Sequence, residues 1–197
     1  MFALLAVAAG CSQTPRAASQ PATAETSSSP DRVEPTLVDL TLVDRAAFDA
    51  VLSRTKGKVI LVDGWATWCG PCVEQLPHSL ALAKEHGDDG LEVVTLNFDD
   101  PDSAESAVAI LKKSGAPAAN VTNLQTKFGG STESMDAFEI TSGALPHYKL
   151  YDRQGKLRQT FELDPSAKEQ FTPADIDRAV AELLAEPAPA PLRRRPR

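Results

Sequence analysis

The 197 residues read as an α/β protein, a central mixed sheet flanked by helices, on three observations. Apolar and β-branched runs alternate with stretches of helical periodicity from about residue 44 to residue 115. Two strand-like runs then flank a Gly-containing polar turn near residue 155, and a capped amphipathic helix closes the pattern.

Taken in order, Asp44 followed by Phe48, Val51 and Leu52 predicts a capped amphipathic helix. Val59-Ile60-Leu61-Val62 predicts a buried strand, and a helix follows over Pro71 to His86. Leu91 to Phe98 carries apolar residues in both phases, as a strand buried on two faces does. Asp100-Pro101 opens a helix with Val108 and Leu111 on one side and Gly115 as its stop. Residues 116 to 143 show no decided period. His147 to Tyr151 and Leu157 to Leu163 form a hairpin around Asp152-Arg153-Gln154-Gly155. Thr172-Pro173-Ala174-Asp175 is a capping box leading into Ile176, Val180, Leu183 and Leu184.

Composition narrows the function. The net charge is −7, and four arginines crowd the last five residues, so the rest of the chain is more acidic still. A nucleic-acid-binding body would present a basic face, so none is expected. Three cysteines are too few for a disulfide-stapled mini-protein; Cys69 and Cys72 form a close pair, while Cys11 stands alone.

Residues 1–11 are an apolar run ending Ala8-Ala9-Gly10-Cys11, too short to span a bilayer, which takes about 20 apolar residues. Small residues directly before a cysteine resemble the lipobox of bacterial lipoproteins, although Ala8 stands where Leu is usual and no Lys or Arg precedes the run. That resemblance implies a signal segment and lipid attachment at Cys11. Residues 12–35 are rich in Ser, Thr, Ala, Pro and Gln and predict a disordered linker. As a flexible coil it reaches about 27 Å, enough to hold a domain off a membrane. The folded domain is expected over residues 36–186, with a Pro- and Arg-rich tail over 187–197.

Chemistry concentrates in Val62-Asp63-Gly64-Trp65-Ala66-Thr67-Trp68-Cys69-Gly70-Pro71-Cys72. A C-x-x-C between a strand and a helix is the setting of a redox dithiol. Cys69 at the helix N-terminus meets unpaired N–H groups and the positive end of the dipole, which favour a thiolate. A thiol with a pKa of about 8.5 is about 3% ionised at pH 7, and one lowered to about 7 is half ionised, so Cys69 is the nucleophile. Cys72, one turn further in and less exposed, resolves the mixed disulfide. Gly70 and Pro71 shape the turn between them.

Trp65-Ala66-Thr67-Trp68-Cys69-Gly70-Pro71-Cys72 resembles the active site of the thioredoxin superfamily, and the apolar start, linker and length resemble its tethered, extracytoplasmic TlpA and ResA group. The resemblance covers roughly residues 40 to 185. It implies a thioredoxin-like fold in which Asp63 is the buried acid that helps deprotonate Cys72; the alternative for Asp63 is a partly exposed carboxylate at a strand end. It implies a cis peptide at Leu145-Pro146, with residue 145 offering backbone hydrogen bonds to an extended substrate, and Trp68 covering one side of the site. Cys69 and Pro146 are 77 residues apart, so an insertion that includes Asn120 to Glu139 is expected before the cis-proline strand. Gly64 replaces a large apolar residue of the family, leaving a gap or admitting another side chain. Gln75 stands where the TlpA and ResA group commonly has Glu, with Glu74 one residue earlier.

The implied activity is thiol-disulfide exchange with cysteines of envelope proteins, in the reducing direction, fed by a membrane electron donor. Apocytochrome c is one substrate class. No metal or organic cofactor is required. Two other readings stand beside it: a Cu(I)-handling chaperone using Cys69, Cys72 and His147, and a redox-inactive interaction module, which two intact cysteines disfavour. Structural zinc fails because no second C-x-x-C exists and His78, His86 and His147 lack finger spacing. Haem attachment fails because Val73 follows Cys72.

Overall fold

A computed structural model describes residues 37–116, 118–164 and 166–188. The lipobox-like segment with Cys11, the linker, and all of the tail except Pro187 and Ala188 lie outside them.

Six strands form one sheet in the order β1-β4-β3-β2-β5-β6. In chain order the elements are β1 (Thr41–Val43), α1 (Arg45–Arg54), β2 (Val59–Trp65), α2 (Gly70–His86), β3 (Leu91–Asn97) and α3 (Ala104–Ser114). They continue as β4 (Val121–Thr126), α4 (Thr132–Ala137), β5 (His147–Tyr151), β6 (Leu157–Glu162) and α5 (Pro173–Ala185). β1, β4, β3 and β2 run parallel, while β5 is antiparallel to both β2 and β6. The expected mixed sheet is therefore present.

The sheet is buried on both sides because alternate residues of its central strands feed two cores. Ile60 and Val62 join Phe48 of α1, Ala107 and Leu111 of α3 and Met135 of α4. Val59 and Leu61 join Tyr148 and Ile176, Ala179, Val180 and Leu183 of α5. The first turns of α2 supply Cys72, Leu76 and Leu80 to the former core, and its later turns supply Leu82 and Ala83 to the latter. On the edge strand β6 only Phe161 is buried, and its exposed polar side chains discourage further strand pairing.

Local signals behave as their chemistry requires. The Asp44 carboxylate accepts the Ala47 N–H at 2.9 Å, and Asp175 accepts the Thr172 N–H at 2.8 Å. Gly115 ends α3 at φ 96°, a left-handed conformation that glycine adopts without a Cβ clash. Two expectations are corrected, and the expected insertion is present. The strand expected over 59–62 continues through Asp63 and Gly64 to Trp65, because β5 stays in register as far as Gly64 and β3 as far as Trp65. The helix opened by Pro101 starts as a 3₁₀ turn over Pro101–Ser103, and its buried side is Ala107 and Leu111, with Val108 only half-buried. The undecided stretch holds β4 and α4, so the segment expected as an insertion is a strand inserted between β1 and β3 followed by a short helix.

Candidate active site

Cys69 is the N-cap of α2, with Pro71 in its first turn. The Cys69 and Cys72 sulfurs are bonded to each other, and Cys69 Sγ accepts the Cys72 N–H at 3.3 Å. That N–H is one of the helix's unpaired donors, aimed at the sulfur that carries charge when the pair is reduced. Cys69 is 7% exposed and Cys72 1%, the asymmetry expected of an attacking and a resolving sulfur. Gly70 and Pro71 are exposed beside them. Leu145-Pro146 is a cis peptide at the start of β5, and both residues are buried.

Asp63 sits inside β2 rather than at its end and is 1% exposed, which removes the reading as a partly exposed carboxylate. Its register neighbours are Thr95 on β3 and Tyr148 on β5. Neither carboxyl oxygen has a hydrogen-bond partner. Burial drives its pKa up from 3.8 to about 7, and the nearby Ser79 hydroxyl pulls it partly back. A carboxyl poised near neutrality can both take and return a proton.

The loop carrying the cysteines is held from beneath. Asp99, itself buried, accepts the Thr67 N–H at 3.0 Å, the Thr67 hydroxyl at 2.9 Å and the Asn97 amide at 2.7 Å. Gln125 of β4 in turn donates to the Asp99 and Asp100 carbonyls at 3.2 and 3.1 Å. Asp99 and Gln125 escaped the sequence reading, because an acid past a strand end and a polar residue in a patternless stretch carry no local signal. Trp68 is 63% exposed and rests on Gly130, where an added Cβ would lie 3.3 Å from the indole Cζ2. Phe128, two residues before Gly130, is 66% exposed.

The gap at Gly64 is taken by its neighbours. A Cβ there would meet the His147 carbonyl oxygen at 3.0 Å and a Leu145 methyl at 3.6 Å. His147 is buried with neither ring nitrogen hydrogen-bonded, in a small pocket with Phe48, Phe138 and Ile140. Burial, reinforced by the Lys149 charge, lowers its pKa from 6.5 to about 4, so it is neutral at physiological pH. Among the described residues no three His, Cys, Asp or Glu side chains are placed to share a metal ion. The Cu(I) set of Cys69, Cys72 and His147 is therefore not assembled; the His147 carbonyl and Cβ, with a Leu145 methyl, take the space that Gly64 leaves. Gly64→Leu should cost about 1–3 kcal/mol of stability by overpacking. In a His147→Ala background the cost should shrink, as read by a double-mutant cycle in urea.

Residues 27–180 match the family described as Redoxin, well over half of the chain. The chain belongs to that family. Among curated relatives of this Redoxin chain, the thioredoxin-like protein YneN of Bacillus subtilis is 37% identical over 70 residues, 36% of this chain and 41% of YneN. The thiol-disulfide oxidoreductase ResA of Geobacillus kaustophilus is 26% identical over 124 residues, 63% of this chain and 66% of ResA. The chain thus spans 41% and 66% of those two relatives. A solution structure assigned as a protein disulfide isomerase from Bacteroides thetaiotaomicron superposes with a TM-score of 0.52 at 24% identity, covering 68% of this chain and 79% of its own. The Redoxin chain has a thioredoxin-like fold and is similar to the ResA group, as its active-site motif implied.

Proposed function

We propose that this chain is a thiol-disulfide oxidoreductase of the bacterial envelope that reduces disulfides in other proteins. The observation that carries the reading is the Cys69–Cys72 pair at the α2 N-terminus, with the second sulfur buried. Asp63 buried in the strand before it and the Leu145-Pro146 cis peptide support it. The ResA relative, a named thiol-disulfide oxidoreductase, points the same way.

In the reduced protein the Cys69 thiolate attacks one sulfur of a substrate disulfide, forming a mixed disulfide and expelling the other substrate sulfur as a thiolate, which takes a proton from solvent. Cys72 then gives its proton to the Asp63 carboxylate and attacks Cys69 Sγ. The second substrate sulfur leaves, and the Cys69–Cys72 bond closes. Two electrons have passed to the substrate, and a membrane-borne dithiol donor returns them. Trp68, Gly70, Pro71 and the Leu145 backbone border the groove that takes the substrate's cysteine segment, and Phe128 extends its apolar rim. Cys11 is the lipid attachment, residues 12–35 are the tether, and envelope proteins, apocytochrome c among them, supply the disulfides. No helix among the described residues is long and apolar enough to cross a membrane.

Cys72→Ser leaves the mixed disulfide unresolved, so expression in a native envelope should yield reducible adducts through Cys69. Mass spectrometry of the same sample should find acylated Cys11 as the mature first residue. An adduct-free variant defeats the exchange reading, and an unmodified N-terminus defeats the anchor.

A further inference from the structure

Beside Asp63 lies a group of polar side chains that the exchange steps above leave unused. Tyr148 is buried to 1% exposure, yet its hydroxyl donates to Gln75 Oε1 at 3.2 Å, across 73 residues of sequence. Gln75 sits on the first turns of α2, half-buried, and leads toward solvent. On the inner side, Ser79 is fully buried, and neither its hydroxyl nor either Asp63 carboxyl oxygen has a hydrogen-bond partner, while the hydroxyl favours the ionised forms of both Asp63 and Tyr148. Asp63 and Tyr148 are paired across β2 and β5, so their side chains leave the same face of the sheet.

We propose that Asp63, Ser79, Tyr148 and Gln75 act as one hydrogen-bond chain whose direction is set at its outer end, making Gln75 and Tyr148 positioning residues for the proton on Asp63. The inference rests on the reading of Cys72 as the resolving thiol, whose proton Asp63 takes.

Hydroxyls both donate and accept, so such a chain has two senses. With Asp63 protonated, its O–H donates to Ser79 Oγ, Ser79 donates to Tyr148 Oη, and Tyr148 donates to Gln75 Oε1. The last of these bonds is the one in place. With Asp63 ionised the sense reverses: Tyr148 turns its O–H to Ser79, Ser79 turns its O–H to the carboxylate, and Gln75 loses its donor. An acceptor at position 75 therefore favours the neutral carboxyl, by the rule that hydrogen bonding to one protonation state shifts the balance toward it. No proton leaves the chain when it reverses; only the hydroxyl rotors turn. The proton that moves is the one Cys72 delivers.

The surroundings leave few competitors. Thr95 on β3, beside Asp63, spends its hydroxyl on Asn123 Oδ1 at 2.9 Å. From α5 the buried residues on this side are Ile176, Ala179 and Val180, all apolar. From α2, Cys72 is uncharged in the disulfide, and His78 faces outward to pair with Asp177 at 2.8 Å. No charged side chain acts on Asp63 directly; burial and Ser79 are what move its affinity.

The test is a ¹³C-carboxyl NMR titration of Asp63 in the full, oxidised chain, where the two cysteines do not titrate. Gln75→Leu and Tyr148→Phe should each lower its midpoint by about half a unit, a threefold loss of proton affinity, because Ser79 is freed to donate to the carboxylate. Gln75→Glu, an acceptor with a charge, should raise it, and Ser79→Ala should raise it by removing the inner donor. Tyr148→Phe keeps the ring that packs edge-on to Phe171 at 5.7 Å, and position 75 is half-buried, so both variants keep the fold. An Asp63 midpoint unmoved by Gln75→Leu and Tyr148→Phe overturns the proposal. The titration needs no turnover: a protein that forms no adducts fails the exchange reading and leaves this result standing, and the reverse holds equally.

Discussion

Cys69→Ser is expected to bring catalysed reduction of insulin disulfides to the uncatalysed background while leaving the fold intact. The serine hydroxyl can still cap α2 by accepting the Cys72 N–H, so the helix start survives. Among the described cysteines, the variant has lost the one with both a helix-terminus donor and the greater exposure. The remaining Cys72, 1% exposed, should label with a maleimide far more slowly than Cys69 does in Cys72→Ser. Multi-turnover activity in Cys69→Ser would contradict the division of labour. Rapid labelling of Cys72 would contradict the burial on which it rests.

The second large effect is on stability and runs against intuition: neutralising Asp63 should strengthen the protein. Below about pH 3 the carboxyl is protonated in both the folded and the unfolded chain and contributes no pH dependence. As pH rises, the unfolded chain ionises from its ordinary 3.8, while the folded chain keeps its proton to about 7. Over that interval the unfolded state binds fewer protons, so stability falls, and above about pH 7 the loss is complete and constant. The full penalty is about 4 kcal/mol at most, since each unit of difference is worth about 1.4 kcal/mol. Asp63→Asn in the oxidised form should therefore gain over the parent steadily from pH 4 to pH 7 and hold that gain at pH 8, as measured by urea denaturation. A gain that does not vary with pH would mean the carboxyl is not held neutral by burial. The same variant should resolve mixed disulfides about 10²-fold more slowly, having lost its base.

What was legible in the sequence was what local chemistry dictates. The cysteine pair announced itself because a redox dithiol, a helix start and a strand end occupy a single run of residues. α1 and α5 were legible through caps at Asp44 and Thr172 and apolar spacing behind them. β4 was not legible, because three of its four buried residues, Asn123, Gln125 and Thr126, are polar and only Leu124 is apolar. A strand of that composition is stable only because Thr95, the Asp99 and Asp100 carbonyls and the Gly129 carbonyl meet its side chains. Apart from Gly129, those partners come from elsewhere in the chain, so no period in Val121–Thr126 reveals them. The same limit hid Tyr148, which reads as an ordinary strand aromatic until α2 brings Gln75 against its hydroxyl. The role of Gly64 was half legible: an absent side chain was evident, but that His147 occupies its space follows only from the β2–β5 register.

The parallel run of β1 with β4, β3 and β2 gives the domain a direction. All four strands start at one pole of the sheet, and the disulfide lies at the other, just past the last residue of β2. The chain arrives at β1 on the first pole, where Leu37 and Val38 lie near Ala116 and Val121. With β2 seven residues long, about 20 Å of sheet separates the two poles. Where the described chain enters β1 is therefore the end of the sheet remote from the sulfurs, and the reactive pole stands about one strand length from that entry.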